Sequence, residues 1–358
     1  MPPWIYTPPP APLDEFEVLV FDIGNTMTRV GIATDVAFNE RPQLVFPTLV
    51  GEKNGDDPVN YGHVENIAMT LLFEHTFEQL NVESDENPVM LTNTAFNPEI
   101  ELTGSILFET YRTPSVSFQE DTLCSLHALE LSTGLVIHSG HGYTFVSAIH
   151  EDNVISKSRL DVAGRALDDF FAKSFAGHQF QTPSEMITVR DIKEKLAYVA
   201  QDYGQEVQSF PAQTPKFYNL PNGLQIEIGD ESFEGPELLF KPPSIYADGP
   251  EPAGVHQLVN RAIQLCDESI RPTICSNIVL SGGTTVLSGF SERLEKELKK
   301  LVPNQDINII AREDRATLAW TGAMRWASQR EYREERFLTR EEYEEHGERA
   351  LTNFFRRQ

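Results

Sequence analysis

Apolar residues recur at every second position in several short stretches, a pattern that predicts β-strands. Residues 16–33 are predicted to form a strand, a polar turn and a second strand, with the turn at 22–26. The middle of the chain repeats this design at 135–144, where an apolar run gives way to a turn that contains two glycines. Further strands are predicted at 42–50, 88–92, 225–229, 278–281 and 307–311.

Other stretches carry apolar residues three and four positions apart, which is typical of helices. They alternate along the chain with the predicted strands, in two halves of similar design. This order predicts an α/β fold with mixed sheets, organised as two lobes with a cleft between them. The predicted helices cover residues 65–79, 98–111, 121–131, 161–176, 188–202, 256–269, 291–301 and 317–329.

Each predicted lobe contains a strand that ends in a glycine turn. The apolar run at 278–280 is followed by Ser281, Gly282, Gly283 and Thr284, after which a helix is predicted. Paired glycines let backbone N–H groups approach a ligand closely, and a helix N-terminus favours negative charge. Together with the turns at 22–26 and 139–143, this turn predicts a ligand held between the lobes.

Composition narrows the classes of function that fit the chain. The 358 residues carry 29 basic and 54 acidic side chains, a net charge of −25, which argues against direct binding to nucleic acid or acidic lipid. The three cysteines are not spaced like metal ligands and suggest reduced thiols. We expect a cytoplasmic or nuclear protein, because the chain has neither a signal peptide nor an apolar run of membrane-spanning length.

Residues 1–14 contain six prolines and the apolar side chains Trp4, Ile5 and Tyr6. Proline at this density prevents a helix and favours an extended arm. Two interpretations stay open, a disordered tail and an arm that docks on a partner protein. Near the other end, residues 331–348 form a dense run of charges that we expect to be a solvated helical face.

Five short stretches carry a resemblance to a known family: Val45-Phe46-Pro47, Phe108-Glu109-Thr110, Ala163-Gly164-Arg165, residues 189–196 and residues 280–285. In their order and spacing the chain resembles the actin family over nearly its whole length. Within that family it is similar to a divergent actin-related protein more than to conventional actin.

The resemblance implies two similar ribonuclease-H-like lobes around a central nucleotide cleft. It assigns 15–128 plus 318–358 to the first lobe, 129–163 plus 251–317 to the core of the second and 164–250 to its outer subdomain, with 1–14 as the N-terminal arm. Only residues 52–57 stand where the family builds the small outer subdomain of the first lobe. We therefore expect that subdomain to be largely deleted, with 48–57 as its remnant.

Matching the family's site position by position implies a set of nucleotide-binding residues. Asp22 and Gly24 are kept in the first turn, whereas Asn25, Thr26 and Arg29 replace the family's serine, glycine and lysine. An arginine keeps the positive charge but changes its geometry. The full set is Asp22, Gly24, Asn25, Thr26, Arg29, Ser139, Gly140, Gly142, Gly164, Lys193, Glu194, Gly282, Gly283 and Thr284.

Four replacements fall on the groups that the family uses for hydrolysis. His138 and His141 stand for two aspartates near Mg²⁺, Asp121 for the catalytic glutamine and Phe145 for the catalytic histidine. Neutral imidazoles are poor Mg²⁺ ligands, and a phenyl ring cannot hold a water molecule. We expect no catalytic residues, no metal site and no ATPase activity, and Mg²⁺ is not expected to be held as in actin.

The adenosine side keeps more of the family's residues, including Lys193, Glu194 and Gly282, although Leu287 and Ala316 replace a tyrosine and a lysine. Two outcomes stay open: a permanently held ATP or ADP, and an empty or remodelled cleft.

The resemblance and the replacements together predict a non-polymerising structural subunit of a cytoskeletal assembly, either a dynactin-like end subunit or a ciliary component. The alternatives are a nuclear subunit of a chromatin-remodelling complex and an ATP-cycling switch. Residues 241–252, where the family has a filament contact, are interrupted by prolines and acids. We expect other protein subunits as partners, with no nucleic acid, membrane or homopolymer. The predicted partner-binding residues are Trp4, Ile5, Tyr6, Thr133 and Met324.

Overall fold

The computed structural model describes residues 17–34, 41–48, 66–93, 100–175, 180, 182–210, 216–244 and 253–357. The chain divides into two compact units. Unit 1 consists of Met1–Gly55, Val59–Glu130 and Leu318–Gln358, and unit 2 of Asp56–Pro58 and Leu131–Thr317. Both units combine helices with a mixed sheet, so the predicted α/β fold class is confirmed. Of the predicted remnant at 48–57, all but Thr48 lies outside the described residues, and so does the arm at 1–14.

Unit 1 is built on a six-stranded sheet with the order β13-β5-β4-β1-β2-β3. The strand β1 is almost entirely apolar and lies inside the sheet, antiparallel to β2 and parallel to β4. Its burial on both faces explains why it contains a continuous apolar run. The strands are β1 Val18–Ile23, β2 Met27–Ala33, β3 Leu44–Pro47, β4 Val89–Asn93, β5 Ser115–Glu120 and β13 Leu338–Thr339.

Helices cover unit 1 and bury two apolar clusters against its sheet. One cluster includes Phe21, Phe73 and Leu107, and the other includes Val20, Trp320 and Met324. The indole N–H of Trp320 donates to the carbonyl of Val20, which joins the last part of the chain to its first strand. The helices are α1 Asn66–Leu80, α2 Ile100–Glu109, α3 Asp121–His127, α11 Leu318–Ala327, α12 Arg330–Arg336, α13 Arg340–His346 and α14 Glu348–Arg357.

Unit 2 contains a five-stranded sheet with the order β12-β11-β6-β7-β8 and a separate hairpin of β9 and β10. In the larger sheet β6 is parallel to β11 and antiparallel to β7. The turns after β6 and β11 therefore leave the same edge of the sheet. The strands are β6 Gly134–Ser139, β7 Thr144–His150, β8 Asn153–Leu160, β9 Lys216–Asn219, β10 Gln225–Ile228, β11 Ile278–Ser281 and β12 Ile309–Ile310.

The helices of unit 2 form two apolar clusters. The larger one joins β6, β7 and α8 around Ile137, Val146 and Val259, and the smaller one joins α4 and α5 to the hairpin around Phe171 and Ile192. The helices are α4 Gly164–Ser174, α5 Pro183–Leu196, α6 Tyr203–Ser209, α7 Glu231–Glu237, α8 Val255–Leu265, α9 Arg271–Ser276 and α10 Phe290–Leu301.

Two predicted elements differ from the structure for identifiable reasons. The helix expected at 188–202 begins earlier, at Pro183, because Thr182 and Glu185 form a capping box. The charge run at 331–348 was expected to be one solvated face, and this is wrong. It is divided into α12, β13 and α13, in which Leu338 and Tyr343 are buried. Over the described residues, none of the helices has the length and apolar character needed to span a membrane.

Candidate functional site

The first predicted turn joins β1 to β2 in unit 1 and is held by backbone bonds at both ends. The N–H of Gly24 donates to the carbonyl of Met27 at 3.1 Å, and that of Thr48 donates to the carbonyl of Thr26 at 3.0 Å. Asn25 lies exposed at its tip. The hairpin geometry therefore presents Gly24, Asn25 and Thr26 together, as the sequence predicts.

Asp22 and Arg29 face each other across this hairpin, because they are paired residues in the register of β1 and β2. Arg29 Nη1 donates to Asp22 Oδ2 at 2.8 Å, and Thr92 Oγ1 donates to Asp22 Oδ1, also at 2.8 Å. Both oxygens of the carboxylate thus have partners within unit 1. The positive charge of Arg29, which replaces the family's lysine, is directed to Asp22.

Asp121 is the first residue of α3, and only 5 % of its surface is exposed. It lies close to the fully buried thiol of Cys124, whose pKa is raised well above its usual value by burial and then by Asp121, Glu120 and Asp22. This shared effect places Asp121 and Asp22 in one acidic neighbourhood of unit 1. Cys124 is consequently an inert core thiol.

The second predicted turn follows β6 in unit 2. It is closed by a backbone bond from Gly140 to the carbonyl of Tyr143, which places Gly142 inside the turn. The hydroxyl of Ser139 lies 2.7 Å from that of Thr144, and Thr144 donates to the carbonyl of Val162. Ser139 is fully buried, so its side chain stabilises the turn and is not accessible to a ligand.

Three turns of unit 2 converge on the carbonyl of Gly140. The N–H of Gly164 donates to it at 3.1 Å, and the hydroxyl of Thr284 donates to it at 2.6 Å. Next to this point Gly282 has a φ of 85°, and a Cβ there would lie 2.4 Å from the carbonyl oxygen of Ser139. Only glycine fits such a position. The sequence predicted two of these turns, at 139–143 and 281–284, and the fold brings them together with the turn at Gly164.

Gly283 differs from its neighbour because a Cβ at that position would meet nothing within 4 Å. It begins a 3-10 turn, Gly283–Val286, and is exposed. The space beside the converging turns is therefore open, and the backbone of Gly283 borders it. This arrangement suits a ligand that is recognised by backbone N–H groups.

The two histidines of this region are held by different partners. His138 Nδ1 lies 3.1 Å from the hydroxyl of Ser281, and His141 Nδ1 lies 3.7 Å from the carboxylate of Asp168. Burial lowers the pKa of His141 to about 3, and the cations Arg190, Lys193 and Arg165 act in the same direction. His141 is neutral at physiological pH. Phe145 pairs with His138 in the sheet, is 3 % exposed and provides no proton acceptor.

Lys193 is a buried residue of α5 and does not extend into solvent. Its ammonium lies 2.6 Å from Asp168 Oδ1 and donates to the carbonyl of Gly164 at 3.4 Å. Arg190, one turn earlier, donates to Asp168 Oδ2 at 3.3 Å. Glu194 is exposed on the same helix. Leu287, which replaces a family tyrosine, is partly buried against both apolar clusters of unit 2.

Asp168 was missed by sequence reasoning. It lies on α4 between Leu167 and Phe171 in the helix's buried stripe, and it is 1 % exposed. A carboxylate within an apolar stripe requires a buried cationic partner, because an isolated buried charge is very costly. The position of Asp168 in the apolar stripe could have indicated a buried ion pair. Two adjacent acids, Asp168 and Asp169, look instead like part of an exposed acidic surface.

The described residues do not fit Mg²⁺. This ion requires several oxygen ligands, usually with carboxylates among them. The carboxylate of Asp22 is already engaged in unit 1, and the turns of unit 2 contribute histidines in place of carboxylates. A search of the described part of the chain finds no group of three or more histidine, cysteine or acidic residues that could hold a metal ion.

The predicted partner-binding residues have different surroundings. Trp4, Ile5 and Tyr6 lie outside the described residues. Thr133 is partly buried, and its hydroxyl lies 3.2 Å from His150 Nδ1. Met324 is 0 % exposed within the core of unit 1. The prediction that its side chain contacts a partner protein is therefore wrong, and the side chain packs in the core.

Comparison with protein families finds a match that covers most of the chain. The family model described as Actin covers residues 13–355.

Proposed function

The chain belongs to the actin family, and from this premise we propose that it is a divergent actin-related protein that neither hydrolyses ATP nor polymerises. It acts as a fixed structural subunit of a larger cytoskeletal assembly. The adenine nucleotide site of unit 2 is retained as a structural site and the hydrolytic machinery is lost.

The proposed loss of ATP hydrolysis rests mainly on the surroundings of Asp22. Both oxygens of Asp22 accept a hydrogen bond, one from Arg29 and the other from Thr92. The guanidinium at 2.8 Å offsets the negative charge of Asp22 and so weakens its attraction for a hydrated Mg²⁺. Phosphoryl transfer depends on such an ion to neutralise the developing charge. Phe145, which lacks any proton-accepting atom, supports the same conclusion.

Retention of a nucleotide is supported by the three converging turns. Gly282 occupies a backbone conformation that other residues rarely adopt, and Gly283 borders open space. Gly140 and Gly164 approach each other closely enough for a direct backbone bond of 3.1 Å. We infer that these turns would hold ATP or ADP through backbone groups, without a metal ion. The ligand would stabilise unit 2 because it binds only the native state.

A role in an assembly is supported by the high negative charge and by the apolar side chains at 4–6. The partner is therefore another protein, and the arm that contains Trp4 contributes contacts to it. We propose a cytoskeletal location, with an end subunit of a dynactin-like complex or a ciliary component as its specific forms. A nuclear chromatin-remodelling complex is the alternative assembly.

Native co-purification tests this proposal. The full chain and a variant that lacks residues 1–13 are each isolated from cells with their bound proteins, and both are checked for equal thermal stability. We expect one defined set of partners on the full chain and reduced amounts on the truncated one. The purified protein alone should stay in the supernatant after high-speed sedimentation in magnesium and salt, and filaments in the pellet would contradict the proposal.

A further inference from the structure

Asp168 connects three elements of the unit 2 site. Its carboxylate lies on α4, with Oδ1 at 2.6 Å from Lys193 Nζ and Oδ2 at 3.3 Å from Arg190 Nε, both on α5. Oδ2 also lies 3.7 Å from Nδ1 of His141, in the turn after β6. The Asp168 side chain is 1 % exposed, and that of Lys193 is 8 % exposed. One buried carboxylate therefore holds both cations in fixed positions.

The charges around this carboxylate do not balance. Arg165 is exposed beside the same turn, where its N–H donates to the carbonyl of His141 at 2.7 Å. Arg165, Arg190 and Lys193 are all near enough to act on His141 electrostatically. Asp168 offsets one of the two positive charges of its direct partners. Without it, three cations would adjoin the converging turns with no buried anion among them.

We propose that Asp168 is a specificity-determining residue of this site, which offsets one of the two positive charges of Lys193 and Arg190 and so weakens the attraction of the site for anions. The site thereby favours the adenosine part of a ligand and gains less from additional phosphate charge than it would without Asp168. This inference rests on the proposed binding of adenine nucleotide. Asp168 acts through Lys193 and Arg190, so it is a positioning residue.

Loss of the Asp168 carboxylate should have two separable effects. Lys193 would remain buried, and Arg190 partly buried, with uncompensated charge, and this lowers thermal stability whatever the ligand. The same charge would also attract anions, and the attraction grows with the number of phosphates. A purely structural role for Asp168 predicts the first effect alone. The ratio of affinities for ATP and adenosine therefore separates the two roles.

The test compares Asp168→Asn with Asp169→Asn in the full-length protein stripped of nucleotide. Asp169 is the adjacent acid of α4, is half-buried, and has no ion pair among the residues that the structure describes. Binding of adenosine, ADP and ATP is measured by calorimetry without divalent cations, at low and at high salt. Asp168→Asn should raise the ratio of ATP to adenosine affinity about tenfold at low salt, and less at high salt. Asp169→Asn should leave the ratio within about twofold of the native value, because its charge is more screened.

A second variant covers the case in which Asp168→Asn does not fold. Lys193→Gln leaves Asp168 paired with Arg190 and removes one cation, so the same ratio should fall. If the ratio of ATP to adenosine affinity is unchanged in whichever variant folds, Asp168 does not determine specificity. This holds even if the affinities for ATP and for adenosine both decrease. Failure of the native protein to bind adenosine, ADP and ATP would overturn the nucleotide proposal and this inference with it. Native binding with an unaltered ratio in the variants would remove this inference alone.

Discussion

Arg293 on α10 donates to both carboxylate oxygens of Glu237 at the end of α7, at 3.0 Å and 3.2 Å. Both residues are buried, with 5 % and 7 % of their surfaces exposed. The same guanidinium donates to Glu297 and to the carbonyl of Ala200, and it lies 5.0 Å from the ring centre of Phe240. This cluster connects α7, α10 and the chain beyond α5 within unit 2.

Arg293→Met should therefore lower the free energy of unfolding by about 3–5 kcal/mol, because it leaves the carboxylate of Glu237 buried without its partner. Urea denaturation followed by circular dichroism measures the change. Lys241→Met is the matched control, since its ammonium lies 3.6 Å from the same carboxylate but is 68 % exposed. That variant should lose no more than about 1 kcal/mol. Equal losses in both variants would contradict the argument from burial.

Stability should fall in acid partly through His141. Its folded pKa is lowered to about 3, below the ordinary value of 6.5, chiefly by burial. Between these values the unfolded chain binds a proton that the native chain does not, so this residue's contribution falls as the pH decreases from 6.5 towards 3. The slope from one such group is at most about 1.4 kcal/mol per pH unit.

His141→Gln should accordingly flatten the dependence of unfolding free energy on pH between 6 and 4. His127, whose pKa is lowered to about 4 by burial and by Arg325, acts in the same direction and remains, so part of the slope persists. The control is His346→Gln, which removes an exposed imidazole. A slope that is the same in His141→Gln and in the native protein would contradict the prediction.

Two neighbouring glycines should respond differently to substitution. Gly283→Val should fold normally, because a Cβ there meets nothing within 4 Å, but it should lower the amount of nucleotide extracted with acid from the native protein. The melting temperature should fall only as far as the lost ligand explains, so added ATP should no longer raise it. Gly282→Ala should instead destabilise the ligand-free protein, since its Cβ would lie 2.4 Å from Ser139. Unchanged nucleotide content in Gly283→Val would argue against a ligand beside this turn.

The purified protein should not release phosphate from MgATP above background. Phe145 cannot position a water molecule, and Asp22 is paired with Arg29. Release of phosphate is followed continuously with a coupled assay over several hours. Turnover that disappears in Asp22→Asn would show that a working site exists, whereas turnover that persists in that variant would point to a contaminating ATPase.

Local sequence patterns predicted much of the fold, because alternation and helical spacing act over few residues. Of the strands in the two larger sheets, β1 to β4, β6, β11 and β12 fall where the pattern placed them, as do the turns at Gly24, Gly140 and Gly282, whereas β5, β7, β8 and β13 were not predicted. The start of α5 was predicted too late because the regular spacing of apolar residues does not extend back to its first turn, which the capping box at Thr182 defines. Met324 was expected at a surface because the sequence gives the type of a residue but does not show how deeply its side chain is buried.

The candidate site was less predictable for a similar reason. The resemblance identified Lys193 and Arg29, but the partner of each depends on contacts that the sequence does not state. Lys193 is paired with Asp168, 25 residues earlier in the chain, and Arg29 with Asp22 across a hairpin. The hairpin register could have indicated the second pair, since residues on opposite strands of a two-stranded segment face each other. The first pair requires the association of α4 with α5, which tertiary structure alone determines.

The pairing of Asp22 with Arg29 also limits which substitutions these two positions tolerate. Their side chains are 16 % and 18 % exposed, so replacing either one leaves a poorly solvated charge beside the first turn. Substitutions at 22 and 29 are therefore coupled, and a change that removes both charges together should cost less stability than the loss of either one alone.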